Sequence, residues 1–330
     1  MGKGLSSTSK ITPLFTCLIS LALMVVVSSC NKEEEVVVPP GPPDSYIVQC
    51  VAAMQVDSIK AYVQWLQNYT TRFFLAPNHR QIAFDLKRKF ESFGYTDVRI
   101  DSFFVSAWWN NQDYTSWQYN AVARLAGNVT PQNIYVMGAH YDCIVEEGDP
   151  FVVAPGANDN ASGVAGVLEV ARIMKKQGFV PKSTIEFVAF ASEEYDLNGS
   201  GEYAGKAKNS GTNIVMMLNN DMIAYSPGIS EPDGGRPVNV MDYSNSGDLR
   251  TLFVTCGTTY TDLAFTHDNT YSEDGDSYSF YNNGFKALFI ISDKEDNFYH
   301  TANDLFGNYN FYYCRDVSAV SCALLVQENK

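Results

Sequence analysis

Basic residues and histidines are scarce in this 330-residue chain: 23 lysines and arginines stand against 37 acids, and there are four histidines, for a formal charge of −14. An acidic surface repels phosphate backbones, which excludes nucleic acid as a partner. No CxxC pair and no Cys/His spacing of the zinc-finger kind occurs, so cysteine builds no structural metal site. Internal repeats are absent, and no linker divides the chain after Pro43, so one domain is expected. With 45% apolar and 13% aromatic residues the chain can bury a full-sized core, which excludes disorder.

The longest apolar run, Ile11 to Val27, follows Lys3 and Lys10 and leads into Ser28, Ser29 and Cys30, the order of a signal peptide (residues 1–29) rather than of a spanning helix. Its ending resembles a bacterial lipobox, in which the cysteine becomes the lipidated first residue, so membrane attachment is expected through acyl chains on Cys30. An ordinary cleaved signal or a short anchor helix remain as alternatives, and all three export the domain. Removing a segment with two lysines and no acid takes the charge from −14 to −16. Residues 30–44, with the run Asn31-Lys32-Glu33-Glu34-Glu35 and then Pro39 to Pro43, read as a solvated tether. The acidic run also resembles surface-export signals of some Gram-negative lipoproteins. The expected location is thus the cell envelope, on the periplasmic side of the outer membrane or at the cell surface. Five cysteines follow the signal (Cys50, Cys143, Cys256, Cys314, Cys322), an odd number whose default place is the core.

Helical spacing of apolar residues between Ser45 and Gly94 predicts two helices broken near Pro77. Strands are expected at Val98 to Val105, Tyr119 to Leu125 and Ile134 to Gly138. Helix and strand then alternate: Ser162 to Lys176, Thr184 to Ala191, Gly201 to Lys208, Asn213 to Leu218, Ser246 to Thr258, Ala287 to Ile291. That order predicts an α/β domain over 45–330, with a central mixed, mostly parallel sheet flanked by helices. Trp108 to Ser116, Ser226 to Pro237 and Thr266 to Ser277 read as loops over the sheet.

Ligands of such sheets bind beyond the carboxyl ends of the strands, and there the acids and histidines gather. One strand runs into His140 and, two residues on, Asp142, which can orient the imidazole. Asp159 lies in the Gly156–Gly163 run of small and polar residues just before a helix; alone, it would read as a helix cap. A third element, the strand Thr184 to Ala191, runs into Glu193-Glu194: one carboxylate can bind a metal while its neighbour takes a proton from water. Asp221 follows the strand Asn213 to Leu218, and His300 sits in Phe298-Tyr299-His300-Thr301-Ala302-Asn303-Asp304. Separately each has a structural explanation; five elements carrying metal-ligand residue types in one chain call for a common one.

The His-x-Asp, the Asp in a Gly/Asn/Ser-rich loop, the Glu-Glu pair, the later Asp and the terminal His, in that order, resemble the M28 family of zinc aminopeptidases and carboxypeptidases, from about Ser45 to the C-terminus. The resemblance implies a peptidase with two zinc ions and peptide substrates. Asp159 would bridge the ions, His140 and Asp221 would complete one sphere, and Glu194 and His300 the other. Glu193 would be the general base, and Tyr299 a donor to the oxyanion. Asp142 and Asp276 would support these groups from behind. Ser277 stands where many relatives carry histidine. Cobalt and manganese suit the same donors. His79 reads as solvated and His267 as a loop residue at or beyond the rim. Acidic loops, with Glu146, Glu147 or Asp276 as anchors for an α-amine, favour an aminopeptidase over a carboxypeptidase. Two alternatives stay open: a glutaminyl cyclase of the same fold, which uses one zinc and usually has tryptophan before the terminal histidine, and an inactive metal- or peptide-binding lipoprotein.

Overall fold

The computed structural model describes residues 42–226 and 236–330. The expected signal peptide, Cys30, the tether up to residue 41 and most of the Ser226–Pro237 loop lie outside the described residues.

Three helices, not two, open the domain: α1 (Ser45–Ala52), α2 (Val56–Gln67) and α3 (His79–Ser92). Asp44 caps α1 by accepting from the amides of Tyr46 and Ile47. The additional break falls at Ala53 to Gln55, where the Gln55 amide donates to Glu169 Oε1 at 2.7 Å. A buried carboxylate across the core thus takes a backbone donor that a continuous helix would have used itself.

Strands β1 (Asp97–Trp109) and β2 (Gln112–Leu125) form a hairpin in full register, from Asp97 opposite Arg124 to Trp109 opposite Gln112. The loop expected at Trp108 to Ser116 is therefore mostly strand. Its two turn residues, Asn110 and Asn111, both have positive φ, the conformation that asparagine tolerates and a two-residue hairpin turn needs. The rest runs β3 (Thr130–His140), α4 (Ala161–Lys176), β4 (Ser183–Phe190), α5 (Asn198–Asn209), β5 (Asn213–Asp221), β6 (Pro237–Met241), α6 (Gly247–Tyr260), β7 (Ala264–Thr266), α7 (Asp276–Asn282), β8 (Ala287–Ser292) and α8 (Phe311–Asn329). The Thr266–Ser277 stretch is a loop only in its middle, because β7 ends and α7 begins within it.

The eight strands lie in the order β1-β2-β4-β3-β5-β8-β6-β7. Neighbours are parallel through β4, β3, β5 and β8, while β1, β2 and β6 join antiparallel, so the sheet is mixed with a parallel centre. All eight residues of β4 are buried, as expected of a strand covered on both faces. One face carries the larger core, shared with α1 to α4, α6 and α8; the other packs α5 and α7 around Phe190, Tyr203 and Phe280. All five cysteines after the tether are buried thiols without disulfides.

A close approach between helix and sheet shapes the edge where the strands end. A Cβ on Gly163, in the first turn of α4, would stand 2.2 Å from the Asn220 carbonyl oxygen. Only glycine lets the start of α4 lie against the end of β5, which brings Asp159 up to Asp221.

Candidate metal centre

Adjacent parallel strands β4, β3 and β5 release the chain at one edge of the sheet, and there they deliver Glu193 and Glu194, His140 and Asp221 side by side. Sharp turns aim these groups inward. Ser192, just before the glutamates, Met222, just after Asp221, and His300 itself are non-glycine residues with φ of 58°, 47° and 53°, a costly conformation that persists where the surroundings enforce it.

Asp159 does not cap α4. Asn160 does, accepting from the Gly163 amide at 2.8 Å, and Asp159, joined to it by a cis peptide, turns its carboxylate toward the strand ends. His140 Nε2 lies 3.3 Å from Asp159 Oδ1 and 3.3 Å from Asp221 Oδ1. His300 Nε2 lies 3.1 Å from Asp159 Oδ2 and 2.9 Å from Glu194 Oε2. The two oxygens of Asp159 thus face two imidazoles. The arrangement makes two clusters, His140/Asp159/Asp221 and Asp159/Glu194/His300, each with one ligand atom per residue lying within 4.8 Å of the others. Glu193 stands beside the first, its Oε2 3.8 Å from His140 Nε2.

Charge is badly balanced here. Among the described residues no lysine or arginine pairs with any of the four carboxylates, and Asp159, Glu193 and Asp221 are each less than a tenth exposed. Burial pushes Glu193 well above the usual carboxylate range, and burial with the adjacent Asp159 pushes Glu194 up to about 7. Burial opposes charge on His300 as well, but its hydrogen bonds to Asp159 and Glu194 outweigh that and raise it to about 11. His140 is raised against burial by Glu193 and Asp221. Protons thus collect where positive charge is missing. Oxygen and nitrogen donors, converging in buried positions with a deficit of cations, fit divalent metal ions of the zinc, cobalt or manganese kind.

Asp142 is buried, and its carboxylate accepts the amides of Glu193 at 3.1 Å and Glu194 at 3.3 Å. It lies 3.8 Å from His140 Nδ1, whose nearer partner is Asp142's own carbonyl oxygen at 3.2 Å. The expected orientation of the imidazole therefore runs through main chain, while the side chain ties His140's strand end to the glutamates. Tyr299 stacks on His300 with ring centroids 3.7 Å apart. Tyr299 is 47% exposed, and partial burial with the surrounding carboxylates, Asp159 and Glu194 first, raises its phenol above the ordinary value, so it stays a donor. Asp276 is wholly buried and pushed up to about 7 by burial, out of reach of a substrate amine. Ser277, in the place of the relatives' histidine, hydrogen-bonds the Tyr243 hydroxyl at 2.9 Å. Glu146 reaches the centre: its amide donates to the His300 carbonyl at 3.0 Å and its Oε1 lies 3.4 Å from His300 Nδ1. Glu147 is exposed. His79 is not simply solvated: its ring nitrogens contact the Ala76 and Trp117 carbonyls and it stacks on Tyr119. His267 pairs with Asp242, apart from both clusters.

Sequence reasoning missed Arg72. It is 1% exposed and donates from Nε to the Tyr141 carbonyl at 2.7 Å, from Nη1 to Pro155 at 2.8 Å and from Nη2 to Gly156 at 2.7 Å. It fastens the turn after His140 to the loop that carries Asp159. Its position between Thr71 and Phe73-Phe74, an arginine in an otherwise buried stretch, was the available signal.

The sequence profile of peptidase family M28 matches residues 120–324. The chain belongs to peptidase family M28. A probable zinc metalloprotease of the fungus Leptosphaeria maculans is 34% identical over 198 residues, which is 56% of this chain and 45% of the relative. This M28 chain thus spans less than half the length of that relative. Among solved structures, an aminopeptidase from Aneurinibacillus sp. strain AM-1 superposes with a TM-score of 0.72 at 16% identity, covering 86% of this chain and 96% of that one. A glutaminyl cyclase from Bacteroides thetaiotaomicron does so with a TM-score of 0.65 at 17% identity, covering 83% and 98%. At such identities these two likenesses establish the fold that this M28 chain shares with both.

Since the raised imidazoles of the metal-free centre hold protons at neutral pH and a metal ligand must be neutral, uptake of zinc will release protons, and affinity will rise with pH. Calorimetric titration of the metal-free protein at pH 7 should give binding enthalpies that vary with the ionisation enthalpy of the buffer. Equal enthalpies in all buffers would contradict protonated imidazoles.

Proposed function

We propose that this chain is an aminopeptidase whose centre holds two divalent cations, most simply zinc, with His140 and Asp221 on one, Glu194 and His300 on the other, and Asp159 shared. The observation that carries the reading is the division of the two Asp159 oxygens between two ligand clusters. When bound, the cations supply Lewis acidity, acidifying a water molecule and polarising the scissile carbonyl.

The protein's own part falls to Glu193, Tyr299 and Glu146. Glu193 is held beside the ligand set but belongs to neither cluster, and its burial makes it a stronger base than a solvated carboxylate. It takes the proton of the attacking water and passes it to the departing amine, a role for which general bases contribute roughly a hundred- to ten-thousand-fold. Tyr299, protonated and stacked on His300, donates to the developing oxyanion. Glu146, with its carboxylate exposed at the His300 side, is the candidate partner for a substrate's free α-amine. The wholly buried Asp276 is not.

Glu193→Gln should lower kcat on an aminoacyl anilide by at least a hundredfold while both cations remain bound. Unchanged turnover would remove Glu193 as base, and ammonia release from a glutaminyl peptide with an inert anilide would favour the cyclase reading instead.

The same reading carries the peptidase out of the cytoplasm on a lipid-modified Cys30, supported by the Val27-Ser28-Ser29-Cys30 ending and the basic, then apolar, order before it. The expressed full-length protein should enter the detergent phase on Triton X-114 partition and Cys30→Ser the aqueous phase; a wild-type protein found in the aqueous phase contradicts lipidation.

A further inference from the structure

The turn that presents His300 continues for four residues to Asp304, whose amide donates back to the Thr301 carbonyl at 3.1 Å. Asp304 is 2% exposed and far from the sheet edge in sequence, yet three consecutive amides of the Asp159 loop end on it. Ala157 N–H donates to its carbonyl oxygen at 3.1 Å, Asn158 N–H to Oδ1 at 2.7 Å and Asp159 N–H to Oδ2 at 3.1 Å. Two consecutive backbone amides accepted by the two oxygens of one buried side chain fix the direction of the main chain that carries them. The carbonyl side of the same loop is held as firmly, because Arg72 binds the Pro155 and Gly156 oxygens. The loop is therefore held by the Asp304 side chain and carbonyl on its donors and by a guanidinium on its acceptors, and Asp159 is the last residue of the held stretch.

We propose that Asp304 is a positioning residue for the metal centre: by fixing the main chain of Asp159 from the turn that also carries His300, it sets how the two Asp159 oxygens divide between the two ligand clusters that would each hold a cation. One short turn thus supplies an imidazole to the Asp159 carboxylate and a carboxylate to the Asp159 backbone, so that ligand and bridge move as one unit. The loss of such an outer partner typically costs roughly 10- to 100-fold in metal affinity. This inference rests on the reading of Asp159 as the shared ligand.

The test uses cobalt(II) as probe, titrated into metal-free wild type, Asp304→Asn and Asp159→Asn, with affinity and the visible spectrum as readouts beside the thermal transition. In Asp304→Asn an amide NH2 opposes one of the backbone N–H groups, and at least one of the two cobalt ions should bind roughly 10- to 100-fold more weakly, with shifted absorption bands. If Asp304→Asn binds both ions with wild-type affinity and spectrum, the proposal is overturned, whether or not its melting temperature falls. If Asp159→Asn also keeps both ions at full affinity, it is the shared-ligand reading that fails; if Asp159→Asn loses them and Asp304→Asn does not, only the clamp fails. Should Asp304→Asn not fold, amide exchange in the metal-free wild type decides. Protection of Asn158 and Asp159 well beyond that of the exposed Glu147 and Gly148 supports the clamp, and exchange as fast as theirs overturns it.

Discussion

Four buried carboxylates meet two imidazoles at the carboxyl ends of the parallel strands, with no lysine or arginine to pair with them among the described residues. Left alone, such a cluster either gathers protons or pays heavily for its burial, and the raised positions of His300, Glu194 and Glu193 show protons taking that place. A centre that favours positive charge this strongly, with no lysine or arginine beside it among the described residues, suits cations. Membership in peptidase family M28 gives that demand its chemistry.

Much of the surrounding architecture serves to hold these like charges together. The order β4-β3-β5 puts three ligand-bearing strand ends next to one another. Gly163 lets α4 close on β5, Asn160 rather than Asp159 caps the helix, and Asp142 ties the amides of the glutamates to the turn after β3. Arg72, from a segment before the hairpin and outside the stretch that matches the family profile, locks the two loops on the His140 and Asp159 side. Each contact fixes backbone rather than touching a metal ligand's donor atom, which leaves those atoms free to bind.

The fold class was legible because alternating apolar strands and amphipathic helices write their period into the chain, and the residues that the structure brings together because strand ends and a Glu-Glu pair are local patterns. What stayed hidden is non-local. α8 is buried around most of its circumference and so has no polar face to reveal its period. β6 and β7 are short strands at one side of the sheet. The hairpin turn at Asn110-Asn111 hides in a stretch that reads from its residues as a loop. The roles of Arg72 and Asp304 depend on hydrogen bonds to main chain more than 60 residues away, which no residue pattern encodes. The restriction of Asp142's carboxylate to the glutamate amides, and the complete burial of Asp276, likewise follow from packing alone.

In the proposed centre a pair of cations would share Asp159. Anomalous difference maps collected on either side of the zinc absorption edge, from crystals of the zinc-loaded protein, test it most directly. Two peaks, one against His140, Asp159 and Asp221 and one against Asp159, Glu194 and His300, are the predicted result. A single peak confined to Asp159, Glu194 and His300, with His140 and Asp221 bound to no metal at saturating zinc, would rule out a shared Asp159.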